Sequence, residues 1–515
     1  MTDTVLTIAA LVTTSALLFG VRILLKIRRI DEGARKAGIP TPSSKSFFLG
    51  DSLVFKDTTQ SHKTFSNLAQ ELGSVYFLRM FTTPVLVITD PAVAQYVMST
   101  RNYPKGEWVY KPISASANTS MVTVNGHEHR RIRRQVLPAF NIAFLKKQVP
   151  MIVDRSLFLM QRLDELVGQE VNLEDWFVKV TADIIGLLGF GYDFRQLETN
   201  DQDMKHMIQT MIGQTNSAGS FTTVDPTAFW RRDNFDKVYI AQKKKFHDIA
   251  LELIRKGREE KEAGETADPE RYDARRRDLN ILNLLVKTEF RNESDMPLTD
   301  QELIDQVVTF IFAGSETSSN TLCLCVGFLS HYPRVFGKLR AEIDAVFDEI
   351  PSWADLTFDK VNSIKYLDCF VKEVLRMVPI APATVREVDA DGEVVAGYVV
   401  PKGTWLIVAA YAMHHSEEVW TDAEKFWPER FEQETINKEE KEGKKRHPYS
   451  HLGFSAGPRS CVGATLAQME LKVILIQFLR HFEWDMVKGN PNETVGMTTL
   501  RIKDCVVRLR RREYT

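Results

Sequence analysis

Three sets of residues in this chain have the types and spacing to do chemistry. The first is Phe454-Ser455-Ala456-Gly457-Pro458-Arg459-Ser460-Cys461-Val462-Gly463, a cysteine between two glycines, after an arginine and ahead of an apolar-periodic run from Ala464 to Leu479. Gly457 and Gly463 can take backbone angles closed to other residues and let a flat partner come close, while Pro458 stiffens the turn. Nothing bulky shields the sulfur, and a helix starting just after it favours a thiolate at Cys461 through its positive end and backbone N–H groups. Such a thiolate suits a metal. Taken alone, a free cysteine is more often a small buried hydrophobe. The second set is Ala313-Gly314-Ser315-Glu316-Thr317-Ser318, a polar break in an apolar helical run, where glycine costs about 1 kcal/mol against alanine and an unpaired buried glutamate costs more. A helix kink with Ser/Thr back-bonding to carbonyls is the plain alternative. The third is Glu373 and Arg376, three apart on one helix face and able to pair.

The spacing F-x-x-G-x-R-x-C-x-G resembles the haem-binding signature of the cytochrome P-450 (haem-thiolate monooxygenase) superfamily, and all five fixed positions match. Ala313 to Thr317 resembles the family's A-G-x-E-T oxygen-binding segment. There a small residue, Ala313 or Gly314 here, lets dioxygen sit against the helix, and the Glu316-Thr317 pair handles protons. Glu373 and Arg376, with Pro428-Glu429-Arg430-Phe431 downstream, resemble the E-x-x-R and P-E-R-F motifs, which implies a buried triad of Glu373, Arg376 and Arg430 with a structural role. The resemblance also implies that Arg133, Arg386 and Arg459 hold haem propionates, and that Phe454, Gly457 and Gly463 shape the loop around Cys461. Relatives usually carry a tryptophan four residues before the first of these arginines; His129 stands there, and an imidazole can donate the same hydrogen bond.

These groups need positioning elements. Asp300 to His331 is the longest helical pattern, with Thr299 as N-cap and Glu302 three residues on, and would run about 48 Å. Its middle, Val307 to Ala313, is apolar all round and therefore buried. Leu367 to Met377 is a second helix. A third follows Gly126 and carries Arg130, Arg131, Arg133 and Arg134, which cannot share one face, so the inward ones need an anion. Val75 to Phe81 and Pro84 to Thr89 read as a hairpin across Thr82-Thr83; Val394 to Val400 and Thr404 to Ala409 read as another across Pro401-Lys402-Gly403. Pro104 to Val124 is irregular, with Trp108, Tyr110 and Met121. Phe144 to Arg291 is mostly helical, interrupted near Thr215 to Asp225 and by a solvated connector from Arg258 to Asp278. By resemblance, Trp108, Phe310, Ala383, Val385, Met497 and Thr498 line an apolar substrate pocket.

The fold class expected is mainly α with small β-sheets, with a long central helix over haem b. In the 515 residues no linker or repeat cuts the chain where domains would divide, so residues 38–515 form one catalytic domain after an anchor and basic flank over 1–37. The anchor is Val5 to Val21, an apolar run that as a helix spans about 26 Å against a hydrocarbon core of about 30 Å. Arg22, Lys26, Arg28, Arg29 and Arg35 follow it, an order that argues against a cleaved signal and keeps the rest of the chain cytosolic. A net charge of −2 argues against a nucleic-acid partner, and five sparse cysteines fit a reducing compartment. The resemblance implies a monooxygenase of the endoplasmic reticulum taking O2, electrons from NADPH through NADPH-cytochrome P-450 reductase, with cytochrome b5 as a second donor, and a hydrophobic small-molecule substrate. A basic surface of Arg130, Arg134, Lys444, Lys445 and Arg446 would attract that reductase, unless Glu439, Glu440 and Glu442 cancel it. A reductase-independent haem-thiolate isomerase or dehydratase, and a non-catalytic haem-binding membrane protein, are the alternatives.

Overall fold

The helix Asp300–His331 forms without interruption and is the axis of the fold. Its start is fixed by a reciprocal cap in which the Glu302 N–H donates to the Thr299 hydroxyl at 3.2 Å and the Thr299 N–H donates to the Glu302 carboxylate at 2.8 Å. Its end comes at Tyr332, because Pro333 cannot continue it. The polar stretch in its middle does not break it: the hydroxyls of Ser315 and Thr317 donate to the carbonyls of Ile311 and Ala313, each at 2.7 Å, so the side chains are satisfied within the helix. The computed structural model describes residues 2–43, 46–106, 110, 117–199, 228–265, 280–282, 285, 296–496 and 498–513. Thr215 to Asp225, Trp108 and Met497 lie outside these. The expected connector from Arg258 is helical as far as Glu265, the end of the helix Ala228–Glu265, because its alternating acids and bases pair along the helix, as Arg255 does with Glu259 at 2.5 Å.

Against the central helix lies Leu173–Phe190, whose Thr181 hydroxyl donates to the Ser315 carbonyl at 2.9 Å. Beside these pack Ile142–Asp164 and the helix after the cysteine, Ala464–His481, around one large apolar core that includes Phe177, Phe328 and Phe478. The Leu367 to Met377 helix is observed as Lys365–Met377.

The main sheet runs, from one edge to the other, Val75–Met80, Thr83–Ile88, Trp405–Val408 and Thr384–Glu387. β1 (Val75–Met80) and β2 (Thr83–Ile88) are antiparallel, with the turn one residue earlier than expected because Phe81 takes a positive φ of 53° and Met80 pairs with Thr83. Strands β3 (Glu170–Asn172), β8 (Phe482–Lys488) and β11 (Val506–Arg511) make a second sheet, and β9 (Thr494–Val495) and β10 (Arg501–Ile502) a small ribbon. The other expected hairpin is different. β5 (Glu393–Val395) turns back on β6 (Tyr398–Val400) through Ala396 and Gly397, both at positive φ, the geometry of a tight hairpin turn. β7 (Trp405–Val408) instead pairs in parallel with β2 and antiparallel with β4 (Thr384–Glu387).

The N-terminal helix Thr2–Lys36 has two halves. Leu11, Leu17, Leu18 and Phe19 are exposed, whereas Ile27 and Ala34 are buried and Asp31 accepts a bond from the buried Arg79 at 2.9 Å. The expected boundary at residue 37 is thus crossed by packing: the helix's last turns sit on the catalytic fold. Among the described residues, no single helix is long and apolar enough to cross a membrane.

Candidate functional site

The cysteine loop is closed by its own backbone. The Cys461 N–H donates to the Phe454 carbonyl at 3.0 Å, and the Ser460 N–H to the Gly457 carbonyl at 3.0 Å. Gly457 holds φ at 72°, where a Cβ would stand 3.0 Å from the Tyr449 hydroxyl, so glycine is required there. Gly463 has an ordinary φ of −86° and its role is spatial: a Cβ would meet only the Phe140 ring at 3.9 Å and the Cys461 sulfur at 4.0 Å, which leaves a flat group room beside the sulfur. Phe454 packs on the large core. Cys461 is exposed, the other four cysteines buried. Crowding by protein atoms pushes its thiol pKa up, against the lowering by the Gly463 N–H and Arg133. A metal bound at this sulfur would favour the thiolate against that desolvation.

Around this loop gather Arg133, Arg459, Arg386 and His129, from the helix Gly126–Val136, the loop itself and β4. Arg133 donates to the Ser460 carbonyl at 2.8 Å, and Arg459 to the Val124 carbonyl at 2.7 Å and the Asn125 side chain at 2.9 Å. Arg386 is buried, donates weakly to Thr384 at 3.3 Å, and leaves its Nε without a partner among the described residues. Burial, then Arg459 and Arg133, hold His129 down to about 3, so it is neutral. Burial and Arg386 lower Arg459 to about 10. Sequence reasoning missed one member: Lys105, held well below the usual lysine range by burial, Arg386 and Arg459, donates to the Val122 carbonyl at 2.8 Å. Its position in an irregular segment gave no periodic signal. Four cations held together by neutral oxygens need an anion. A group with two carboxylates beside an accessible sulfur meets that need, so these residues fit haem.

The central helix presents its polar segment unevenly. Ala313 is exposed and Thr317 half-exposed, while Ser315 and Glu316 are buried. Packing also calls for a small residue at Gly314: a Cβ would stand 3.0 Å from Ile185 on the neighbouring helix. Burial pushes the Glu316 carboxyl up to about 7, against hydrogen bonding from Thr499 and the charge of Arg501. Phe310, one turn before Ala313, packs edge-on to Phe140 at 5.6 Å. The central helix and the cysteine loop are also tied to the same residue: the Met121 N–H donates to the Gln306 side chain at 2.9 Å, and the Met121 carbonyl accepts from Arg459 at 3.5 Å.

Two expected pocket residues face elsewhere. Ala383 and Val385 pack into the core of the main sheet with Tyr76 and Trp405. Side chains alternate along a strand, so β4 presents Thr384 and Arg386 to the site and its neighbours away from it. Thr384 lies 3.4 Å from the Tyr110 hydroxyl. Thr498 is half-buried near the β9–β10 turn.

Glu373, Arg376 and Arg430 form a closed triad at zero exposure. Arg376 donates to both Glu373 oxygens at 2.8 and 3.0 Å, Arg430 to one at 3.0 Å, and the Trp427 N–H to the same oxygen at 2.8 Å. Of the expected basic surface, Arg130, Arg134, Lys444 and Lys445 are exposed. Arg446 is not free, because it pairs with Glu439 at 2.6 Å and stacks on Trp420. The groove of about 600 Å³ beside Lys444 and Lys445 is also lined by Asp90, Glu417, Glu418 and Glu439, so its charge is mixed.

With this geometry in place, the comparisons decide the family. The family model described as Cytochrome P450 matches residues 40–505. The chain belongs to the cytochrome P450 family. It is 29% identical over 470 residues to Cytochrome P450 3A29 of Sus scrofa, covering 88% of this chain and 87% of that protein. It is 28% identical over 438 residues to Protein LUTEIN DEFICIENT 5, chloroplastic, of Arabidopsis thaliana, covering 83% of this chain and 69% of that protein. The crystal structure of the cytochrome P450DA heme domain superposes with a TM-score of 0.78 at 23% identity, over 92% of this chain and 98% of that one. The enzyme is thus a P450 monooxygenase, an oxidoreductase whose family implies a haem-thiolate cofactor, and the mainly α fold with small sheets is that of the family.

Proposed function

We propose that this P450 inserts one oxygen atom from O2 into an apolar small molecule such as a lipid, a terpenoid or another hydrophobic metabolite. Electrons come from NADPH through a separate reductase at the endoplasmic reticulum membrane. One observation carries the reading: the central helix sets an accessible hydroxyl on Thr317 next to a buried carboxyl on Glu316. A haem held through Cys461 would supply electron-rich iron that favours O–O cleavage. Lys105, Arg133, Arg386 and Arg459 would neutralise its two propionates, with His129 able to donate an N–H. Phe310 and Phe140, packed edge-on, would offer an apolar wall to such a substrate. Thr317 can release the Ala313 carbonyl and turn its hydroxyl proton toward the cavity. Glu316, titrating at about 7, can give and retake a proton near neutrality.

Replacing Thr317 with alanine is expected to leave haem and substrate binding intact while product per NADPH falls at least about tenfold, the balance leaving as hydrogen peroxide. Undiminished product per NADPH would assign the proton to another group.

The exposed apolar half of the N-terminal helix is the proposed single-pass anchor, and the face bearing Arg130 and Arg134 the proposed docking surface for the reductase. One experiment tests the whole reading. The haem-loaded full chain is mixed with lipid vesicles carrying reductase, and NADPH consumption is followed against product at rising salt, with vesicle flotation in parallel. Coupled turnover that weakens with salt, and flotation that requires residues 2–26, are the expected results. Product formation without NADPH would replace the monooxygenase reading by a rearrangement, and salt-independent turnover would move docking off this face.

A further inference from the structure

A side chain from the far end of the sequence bonds the Glu316 carboxyl, and Asn320, one turn on along its own helix, is a second polar group beside it. The Thr499 hydroxyl donates to Glu316 Oε1 at 2.6 Å, and Oε2 has no partner among the described residues. We propose that Thr499 is a positioning residue for the reaction: by occupying Oε1 it places the proton of Glu316 on Oε2, the oxygen left to hand it on. This rests on the proton-relay reading of Glu316 and Thr317 and deepens it.

The geometry around Thr499 is built to hold it still. It stands in the turn between β9 and β10, where Gly496 takes φ of 141° and a Cβ would come within 1.9 Å of the Thr499 carbonyl. The Gly496 N–H donates to the Thr59 carbonyl at 3.0 Å, and the Leu500 N–H to the Ile380 carbonyl at 2.8 Å. Gln60 fixes the near strand through the Thr494 carbonyl at 2.9 Å. The other groups facing the carboxyl are Arg501 on β10, Glu174 at the start of the helix Leu173–Phe190, and Asn320 on the central helix. A hydroxyl donating to the anion favours it, so Thr499 and Arg501 together oppose the upward push of burial. If Thr498, the residue just before it, lines the substrate pocket, the turn would also link substrate to acid.

The test compares Thr499→Val, which keeps the shape and removes the hydroxyl, with Thr499→Ser, which restores it, in the haem-loaded full chain. The Glu316 carboxyl is titrated by its infrared C=O band, assigned by its loss in Glu316→Gln, and product per NADPH is measured across pH. Valine is expected to raise the infrared midpoint by about one pH unit and to lower product per NADPH about tenfold at unchanged substrate affinity. Serine is expected to return both. An unmoved midpoint, or a moved midpoint with unchanged coupling, overturns the proposal. Uncoupling in Thr317→Ala but not in Thr499→Val sinks this inference alone. Full coupling in both sinks the relay reading beneath it.

Discussion

Alanine at Glu373 or at Arg376 is expected to yield little soluble protein, and that little without haem. The reason is the geometry of the triad. Both Glu373 oxygens are taken up by two guanidinium groups and one backbone N–H, and all three side chains are at zero exposure. Removing the carboxylate leaves two buried cations facing carbonyls with no counter-charge; removing Arg376 leaves the carbonyls of His414 and Ala423 without their donor. Breaking one partner out of a buried ion pair costs about 3 to 5 kcal/mol, a large share of the roughly 5 to 15 kcal/mol that holds a domain folded. The damage spreads to the cofactor because the same segment carries Trp420, on which Arg376, Arg430 and Arg446 all stack, and leads into the cysteine loop. Lysine at 376 is expected to fail as well, since an ammonium cannot make the forked contact. Soluble yield and haem content per protein are the measurements, and full yield of fully loaded protein would show that the triad does not support the fold.

What the sequence made legible was local. The cap at Thr299, the ends of the central helix, the β1–β2 hairpin and the cysteine loop each depend on residues a few positions apart, and each was read within a residue or two. What depended on distant partners was not. β7 finds β2 more than three hundred residues away, and nothing in its own apolar run announces a parallel neighbour. The contact of Gly314 with Ile185 lies between two helices and leaves no local signal. Thr499 carries no motif, and its contact with Glu316 joins residues 183 positions apart.

Arg386 as a propionate ligand and Val385 as a pocket residue sit next to each other on a strand, and period-two alternation forbids both from facing one cavity. Alternation sets Thr384 on the face of Arg386, and Ala383 and Val385 on the opposite one with Tyr76 and Trp405. The cation cluster teaches the converse. Its members come from an irregular segment, a helix, a strand and a loop, so no local pattern could assemble them, yet an arginine-rich helix with too many cations for one solvent face already required an anion inside.

Cys461→Ala is expected to have the opposite profile to the triad variants: a folded protein whose chemistry is gone. The side chain is exposed and supports little packing, while the loop is held by backbone bonds that alanine keeps, Cys461 N–H to Phe454 and Ser460 N–H to Gly457. Soluble yield and the unfolding midpoint of the haem-free protein should therefore match the parent. The cations also remain, so haem can still be drawn to the cluster by its propionates, though without the bond that fixes the iron. The decisive readout is the absorption band of the reduced carbon monoxide complex, whose long-wavelength position reports thiolate ligation in this family. It is expected to shift to the shorter wavelength of a nitrogen- or oxygen-ligated haem, with NADPH-driven turnover lost. An unchanged band would mean that Cys461 is not the ligand and that a thiolate from one of the four other cysteines, all buried here, holds the iron instead.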